Sequence, residues 1–325
     1  MSWRPTATRD RLALRAALLA RTRSFFAARQ VLEVDTPVLV NATVTDPHIQ
    51  SLIVDVTGGV PGSGAAPPRM YLHTSPEYAM KRLLAAGSGD IYQVCHVVRG
   101  DEHSRLHNTE FTLIEWYRLG YDLPRLMTEV ADLVRELCPG HPAAQRPAVR
   151  LAYRELFRRH TGLDPLEAGI PELRTLVAQL GYRDSASRDD LLDLIMGAII
   201  GPALGRDAPT FVHGYPASQA ALARLDPADP ATAQRFELYL DGMELANGFH
   251  ELAAGAEQRR RFGADLQQRA LRGLPLHAVD ERLLDALAEG LPDCAGVAVG
   301  FDRVLMLAAG AADIREVLPF PTATA

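Results

Sequence analysis

Two glutamates beside a predicted hairpin turn form the first candidate site. The dipeptide DG at 241–242 is typical of a tight β-hairpin turn. Counting outward from it places Glu237 opposite Ala246 and Tyr239 opposite Glu244, so Glu237 and Glu244 are diagonal neighbours on one face of the hairpin. Such carboxylates repel each other unless water or a cation lies between them, and Mg²⁺ binds through one or two carboxylates together with phosphate oxygens. The pattern predicts either a magnesium site or a solvated hairpin face.

A second candidate site is a strand with almost no side chains on one face. In AGVAVGFDR, at 295–303, alternation places Gly296, Ala298 and Gly300 on the same face. Small residues in a strand mark places where a ligand or another backbone approaches closely. Arg303 falls in the first turn of the following helix, where its charge opposes the helix dipole unless an anion is nearby. This predicts a phosphate site, and close packing of the helix on the sheet would give the same pattern.

The third candidate site lies around a polar loop between two predicted strands, at 91–99 and 110–117. The connection predicts an antiparallel hairpin. Alternation puts Glu115 and Tyr117 on one face of the second strand, where a carboxylate beside a phenol among apolar neighbours can bind an ammonium group. Arg99 ends the first strand and is able to donate two hydrogen bonds to a phosphate or carboxylate. An ordinary amphipathic hairpin is the alternative.

The composition limits the class of protein that carries these residues. The chain has 325 residues, of which 47% are apolar and 23% charged, as in a globular protein with a large core. The net charge of −6 excludes a generally basic nucleic-acid-binding surface. No apolar run is long enough for a membrane span, and the N-terminus lacks a signal peptide, so we expect a cytoplasmic protein. Three widely separated cysteines argue against a disulfide framework.

The basic residues restrict the chemistry further. Lysine plus arginine total 34, and Lys81 is the only lysine, so the other 33 are arginines. The sequence contains no GxxxxGK[ST] phosphate loop, and a Schiff base with pyridoxal phosphate could form only on Lys81. A nucleotide site in this chain must therefore be built in another way.

The predicted elements indicate an α+β fold. Long antiparallel strands alternate with helices, and the first of these helices spans 9–29. A β-branched strand follows it, which Pro37 ends or places at a sheet edge. A helix is predicted over 74–87, with Ser75 as its N-cap, and the Gly- and Pro-rich stretch 57–69 reads as an exposed loop. We expect a single domain over 1–325 with a helical insertion at about 150–204, and no anticodon-binding domain.

Five segments carry a family resemblance. FFAARQVLEVDTPVL, VVRGDEHSRLHNTEFTLIEWY and GVAVGFDRVLML resemble motifs 1, 2 and 3 of the class II aminoacyl-tRNA synthetases. TSPEYAMKRLL and FELYLDGMELANGFHEL resemble the lysine-pocket and metal-site segments of the lysyl enzymes. The resemblance runs from about residue 9 to residue 320 and implies an antiparallel sheet flanked by helices. It also implies a homodimer formed through motif 1, the region of Pro37.

The architecture is closer to a smaller family of this group. Lysyl-tRNA synthetases carry an N-terminal anticodon-binding barrel, whereas this sequence starts at the core. The short architecture, TSPEY, and His250 where the synthetases usually have serine are similar to the ligases that modify bacterial elongation factor P. That family adenylates (R)-β-lysine and passes it to the ε-amine of one lysine on elongation factor P, a protein shaped like tRNA. The resemblance implies elongation factor P as the partner and no tRNA, which agrees with the acidic net charge.

The resemblance also implies roles for individual residues. Arg99 and Arg303 match the catalytic arginines on the α- and γ-phosphates of ATP, and Phe111 matches the residue that stacks on adenine. The residues implied to bind ATP are Arg99, Asp101, Glu102, His107, Phe111, Glu244, Gly300 and Arg303. The residues implied to bind a lysine-like substrate are Ser75, Glu77, Glu115, Tyr117, Asn247, Phe249, Glu251 and Ala298. Glu237 and Glu244 match the pair that binds Mg²⁺.

Two departures from the family pattern concern these sites. Motif 2 usually reads Arg-x-Glu, whereas here Arg99-Gly100-Asp101 is followed by Glu102, so either acidic residue can take the role near adenine. Ala298 stands where the lysyl enzymes have the middle glycine of GxGxG. The added methyl group narrows the pocket and favours a substrate whose amino group sits one carbon further along.

The implied chemistry is an in-line attack of the substrate carboxylate on the α-phosphorus of ATP. Arg99, Arg303 and Mg²⁺ would neutralise the charge that develops on the phosphates, so positioning and electrostatics would dominate catalysis. Two alternatives stay open. One is a truncated synthetase-like enzyme that activates α-lysine for tRNA or another carrier. The other is a non-catalytic paralogue that binds an amino acid and regulates a partner, although the complete phosphate-binding set argues against it.

Overall fold

The computed structural model describes residues 3–55, 69–100, 102–178, 181 and 187–325. In this part of the chain the helices are α1 Arg9–Ala27, α2 Glu77–Ala85, α3 Leu123–Leu137, α4 Tyr153–Thr161, α5 Ile170–Ala178, α6 Arg188–Ile195, α7 Gly255–Leu271, α8 Glu281–Gly290 and α9 Phe301–Ala309. The strands are β1 Leu32–Glu33, β2 Leu39–Val40, β3 Ile53–Asp55, β4 Arg69–Leu72, β5 Ile91–Val98, β6 Glu110–Leu119, β7 Val149–Ala152, β8 Thr210–Pro216, β9 Thr232–Leu240, β10 Met243–His250 and β11 Cys294–Gly300.

Eight strands form one mixed sheet in the order β1-β5-β6-β11-β10-β9-β8-β7, and β2, β4 and β3 form a small second sheet. The pairs β5–β6, β8–β9 and β9–β10 are antiparallel, as predicted. The terminal pairs β1–β5 and β7–β8 are parallel, which the sequence pattern did not indicate. The predicted α+β class is confirmed. Pro37 lies between β1 and β2, so the single strand predicted there is two short strands.

By their internal contacts the described residues divide into two compact units. The first comprises Met1–Gly120, Leu252–Asp293 and Ala298–Ala325. The second comprises Tyr121–Glu251 and Cys294–Val297. The single domain over 1–325 stays a prediction. Of the predicted 57–69 loop, residues 57–68 lie outside the described part of the chain.

The stretch predicted as a helical insertion lies in the second unit. Its described residues form β7, α4, α5 and α6, and an apolar cluster holds the helices to the sheet. Tyr153 and Phe157 of α4 and Leu192 and Ile195 of α6 are fully buried in this cluster. They recur at helical spacing, which explains why these short segments fold as amphipathic helices. That the segment is an insertion stays a prediction.

Among the described residues, no helix has both the length and the apolar character needed to cross a membrane.

Asp265 on α7 gives the first unit a pH-dependent contribution to stability. Its carboxylate accepts a hydrogen bond from Thr45 Oγ1 at 2.7 Å, and burial, followed by the nearby charge of Asp46, raises its pKa from 3.8 to about 6. The folded state therefore holds the proton more tightly than the unfolded chain does. This contribution is fully present below about pH 4 and is lost as the pH rises through about 6.

We expect Asp265→Asn to stabilise the fold at pH 8 and to leave it unchanged near pH 3.5. The difference between pKa 3.8 and about 6 corresponds to at most about 3 kcal/mol, and partial exposure reduces it. Urea unfolding at the two pH values measures the effect, with the exposed Asp285→Asn on α8 as the control. A gain in stability that is equal at both pH values would contradict the assignment.

Candidate active site

Arg303 and His107 form a direct contact in the first unit. Arg303 lies in the first turn of α9, as predicted, and its Nη2 donates to His107 Nε2 at 2.5 Å. Because Nε2 accepts, the proton of the neutral imidazole is on Nδ1, which lies 2.6 Å from Ser104 Oγ. Burial first, and then the charge of Arg303, lower the pKa of His107. His107 is therefore neutral at pH 7 and fixes the direction of the Arg303 guanidinium.

Arg99 follows β5 and is held by groups around the 100–109 loop. Its Nη1 donates to Glu102 Oε1 at 3.2 Å, and its Nε donates to the carbonyl of Thr74 at 3.3 Å. The guanidinium carbon lies 5.1 Å from the centre of the Phe111 ring. Arg99, Glu102 and Phe111 thus come together as the implied ATP site requires. Asp101 lies outside the described residues, and the roles of Asp101 and Glu102 stay predictions.

Asp302 is a positioning residue that the sequence reasoning did not identify. It is 2% exposed, forms an ion pair with Arg15 of α1, and accepts the backbone N–H of Thr112 at 2.7 Å. Arg15 Nη2 also donates to Thr112 Oγ1 at 2.6 Å. These bonds tie the first turn of α9 to β6 and α1, next to Arg303. One sequence feature could have indicated Asp302: it is an acidic residue in the first turn of the helix that carries Arg303.

Arg269 of α7 is a second residue that the sequence reasoning missed. Its side chain is 0% exposed, and it donates to the carbonyls of Asp46 at 2.9 Å and Pro275 at 2.8 Å. It therefore anchors the chain around 46–50, where the Gln50 carbonyl accepts the N–H of Gly100 at 2.7 Å. The backbone immediately after Arg99 is thus supported by a fully buried arginine on a distant segment.

Four residues of the predicted ammonium pocket come together in the first unit. Glu115 is 2% exposed, and its Oε1 accepts a hydrogen bond from Tyr117 at 2.8 Å. Its Oε2 accepts one from Ser75 Oγ at 2.9 Å. Ser75 Oγ in turn accepts the N–H of Glu77 at 3.0 Å. The predicted N-cap is wrong by one position, because α2 begins at Glu77 and its N-cap is Pro76. The structure brings Ser75, Glu77, Glu115 and Tyr117 together.

Glu77 has a partner within the chain. Lys81, one turn along α2, is 1% exposed, and its Nζ lies 2.7 Å from Glu77 Oε1. This ion pair fixes the orientation of the carboxylate. The role of Glu77 toward a substrate ammonium stays a prediction.

Ala298 of β11 packs against an apolar cluster on β5 and β6. Ala298 and Phe111 each pack against the buried cluster of Cys95, Val97 and Leu113, and all five residues belong to the first unit. The strand includes Gly296, Ala298 and Gly300, and the roles of Ala298 and Gly300 stay predictions. Gly300 is the N-cap residue of α9.

The hairpin of the second unit differs from the prediction in one detail. Tyr239 pairs with Glu244, as expected, but a bulge shifts the register between Glu244 and Ala246. Glu237 therefore lies opposite Asn247 and not opposite Ala246. Simple alternation cannot anticipate the extra residue of a bulge, because the turn that fixes the register is unchanged.

Both oxygens of Glu237 accept bonds from neighbouring side chains. Oε1 accepts from Arg235 Nη2, and Oε2 accepts from the Tyr239 hydroxyl at 2.7 Å. Burial first, and then Glu237 and Glu244, raise the pKa of Tyr239, so the phenol keeps its proton and donates. Tyr239 pairs with Glu244 and is two residues from Glu237 on β9, so Glu237 and Glu244 share one face of the hairpin, as predicted.

The other predicted residues of the second unit are on β10 or directly after it. Asn247 presents a buried Oδ1 that accepts no hydrogen bond from the described residues. Phe249 packs against Ala220, Ala223 and Ala233. The carboxylate-bearing Glu251 is 4% exposed, and its N–H donates to the carbonyl of Cys294 at 3.0 Å. The substrate roles of these three residues stay predictions.

Comparison with known proteins is decisive at the level of the family. The family of class II tRNA synthetases (D, K and N) matches residues 1–324. The chain belongs to this family. It is also 47% identical over 323 residues to proteins named elongation factor P–(R)-β-lysine ligase from Salmonella dublin and Salmonella heidelberg. The alignment covers 98% of this chain and 97% of each relative.

Membership of the class II synthetase family indicates which ligand the arginines of the first unit would contact. The family implies the use of ATP. The guanidinium groups of Arg99 and Arg303 both contact side chains of the 100–109 loop, which carries the neutral His107. A nucleotide site built from these arginines does not require a GxxxxGK[ST] motif. Guanidinium forks bind phosphate oxygens through paired hydrogen bonds.

Proposed function

We propose that this chain is an ATP-dependent ligase that adenylates (R)-β-lysine and transfers it to the ε-amine of a specific lysine of elongation factor P. The observation that carries the proposal is the full-length match to ligases of that name. The arrangement of Arg99, Glu102, His107 and Arg303 supports it, as does the buried Glu115 with its two hydroxyl donors. A phosphate-binding set and an ammonium-binding set are what this substrate pair requires.

In the first step, the substrate carboxylate attacks the α-phosphorus of ATP and pyrophosphate leaves. Arg99 binds the α-phosphate and substrate carboxylate, and Arg303, held by neutral His107, binds the γ-phosphate. Phe111 stacks on adenine, and Glu115, with Tyr117 and Ser75, binds a substrate ammonium group. Because Asp302 and Arg269 fix the backbone near both arginines, little reorganisation is needed when charge develops.

In the second step, the acceptor amine attacks the carbonyl carbon of the adenylate. A C–N bond forms, the bond between the acyl carbon and the phosphate oxygen breaks, and AMP leaves with the electron pair. The attacking amine loses a proton. Elongation factor P is the proposed acceptor and tRNA is not, and we place the reaction in the cytoplasm, where translation takes place.

The donor set on the hairpin suits a Mg²⁺ ion. Glu237 and Glu244 supply hard carboxylate oxygens on one face, and a carboxylate has about four lone-pair positions. The bonds from Arg235 and Tyr239 to Glu237 leave acceptor positions on both of its oxygens. Bound with ATP, the ion would supply positive charge to the phosphate oxygens, while Tyr239 holds Glu237 in place.

We also propose a homodimer formed through the region of Pro37. Apolar side chains are exposed on and next to the short strands around it: Leu32 at 56%, Val38 at 42%, Leu39 at 37%, Leu52 at 39% and Ile53 at 41%. Exposed apolar residues gathered in one region are typical of an interface. Sedimentation velocity should give twice the 35.4 kDa mass of the chain, and a monomer across the micromolar range would contradict the dimer.

ATP–pyrophosphate exchange with (R)-β-lysine, α-lysine and the other standard amino acids tests the proposed function. Transfer of labelled amino acid to elongation factor P and to tRNA is measured in parallel. We expect exchange with β-lysine to exceed exchange with α-lysine, and label on the protein alone. Exchange favouring α-lysine with label on tRNA would support a truncated synthetase. No exchange with any amino acid would support a regulatory binding protein.

Ala298→Gly should improve the use of α-lysine relative to β-lysine. Ala298 packs against the cluster of Cys95, Val97 and Leu113 that Phe111 also contacts, so removing its methyl group widens the site beside this cluster. A methyl-sized change in a pocket is worth about 1–3 kcal/mol, or roughly 10- to 200-fold in selectivity. The ratio of kcat/KM values in the exchange assay measures the change, and an unaltered ratio would remove this role from Ala298.

A further inference from the structure

The distribution of amines in the chain bears on what its activated product can react with. An aminoacyl adenylate acylates any accessible unprotonated amine near it. The chain has 34 basic side chains, but only Lys81 carries an ε-amine. A guanidinium group remains protonated in proteins, so it binds the phosphates without attacking the acyl group.

Lys81 itself is kept from reacting by its surroundings. Its side chain is 1% exposed on α2, and its Nζ lies 2.7 Å from Glu77 Oε1. An ammonium paired with a carboxylate has no lone pair to offer an acyl group, and burial excludes a reagent that approaches from solvent. Lys81 also lies one helical turn from Glu77, whose N–H donates to Ser75 Oγ at 3.0 Å. The single ε-amine is therefore near the proposed substrate pocket and is still shielded from it.

The positive charge around the proposed phosphate site comes from arginine. Arg99 and Arg303 make the contacts described above. Arg105 precedes Leu106, whose carbonyl accepts a hydrogen bond from Arg303 Nε at 3.4 Å. Arg105 is exposed, and its Nη1 donates to the carbonyl of Ala312 at 2.6 Å. A lysine would supply the same charge at this position, but its amine would be free to move toward the adenylate.

We infer that the chain excludes reactive ε-amines from its own surface and shields Lys81 through Glu77, so that acyl transfer from the adenylate is directed to the acceptor protein. The inference rests on the proposed function, because it requires an adenylate. The side reaction it prevents would join a chain amine to the acyl carbon, release AMP with the electron pair, and lose the amine proton to solvent. The chain thus selects the acceptor partly by offering no competing ε-amine.

The first test uses the folded wild-type protein and the acylating reagent sulfo-N-hydroxysuccinimide acetate, so it does not depend on enzymatic activity. Peptide mass spectrometry should find Lys81 unmodified in the folded protein and acetylated after unfolding in urea. Equal modification in both states would overturn the shielding of Lys81.

The second test introduces an amine beside the proposed site. Arg105→Lys and the control Arg260→Lys, whose side chain is 68% exposed on α7, are incubated with ATP, Mg²⁺ and either β-lysine or α-lysine. Pyrophosphate exchange confirms that each variant forms the adenylate. We expect lysyl-group addition at position 105 to exceed that at position 260 by about ten-fold, because proximity favours the nearer amine. The wild type should show no addition on Lys81.

The outcomes separate this inference from the proposed function. Exchange without acylation at position 105, or acylation of Lys81 in the wild type, would overturn the inference and leave the ligase assignment intact. Absence of pyrophosphate exchange in every protein would overturn the ligase assignment and the inference that acyl transfer is directed to the acceptor. The test with the acetylating reagent would still decide whether Lys81 is shielded.

Discussion

Arg303→Ala should lower adenylate formation by about 10²- to 10³-fold, as the loss of one preorganised donor to developing charge typically does. The guanidinium is aligned by His107, which its Nη2 contacts at 2.5 Å, and the helix turn that carries it is fixed by Asp302. The variant loses both the charge and the fork geometry. ATP–pyrophosphate exchange measures the effect, and Arg99→Ala should fall in the same range.

Arg315→Ala is the matched control for this experiment. Its guanidinium is 67% exposed and pairs with Asp313, so its loss should leave exchange within about two-fold of the wild type, because exposed ion pairs contribute little. Near-normal exchange in Arg303→Ala would exclude Arg303 from the phosphate site.

The imidazole of His107 provides a second readout that requires no substrate. Burial and Arg303 both lower its pKa, so removing the guanidinium should raise the pKa toward its ordinary value of 6.5. Titration of the His107 resonances by NMR in both proteins checks this. A pKa unchanged by the substitution would mean that the two side chains are not in contact in solution.

The site features that were predicted correctly from the sequence depend on residues that are close together in the chain. Alternation placed Glu115 and Tyr117 on one face, and their 2.8 Å hydrogen bond confirms it. The position of Arg303 in a helix turn followed from the strand that precedes it. These features depend on periodicity and on turn residues within a few positions, which a single sequence contains in full.

The features that sequence reasoning missed depend on residues far apart in the chain. Arg15 contacts Asp302, and Arg269 contacts the carbonyl of Asp46, across separations that periodicity does not encode. The bulge after Glu244 was missed for another reason. A bulge is local, but it adds one unpaired residue without a distinctive side chain, and the register of Glu237 changes with it.

Glu115→Gln should reduce kcat/KM for the lysine-like substrate by roughly 10- to 100-fold, which is the range for a hydrogen bond to a charged group. The amide has nearly the shape of the carboxylate and retains acceptor and donor capacity toward Tyr117 and Ser75. The fold should therefore persist, which a thermal melt within a few degrees of the wild type would show. Amino-acid titrations in the exchange assay measure the loss.

A substrate without the side-chain ammonium group decides whether Glu115 acts through that charge. Norleucine has an aliphatic chain of similar length, and it should be a poor substrate for the wild type and for Glu115→Gln alike. With norleucine, the ratio of the wild-type kcat/KM to that of Glu115→Gln should therefore fall toward one, because the substitution removes an interaction that norleucine cannot make. Tyr117→Phe deletes one hydroxyl donor to the same carboxylate and keeps its charge, so its loss with the lysine substrates should be smaller than that of Glu115→Gln. An equal loss with lysine substrates and norleucine would mean that Glu115 supports the shape of the pocket and does not bind the ammonium group.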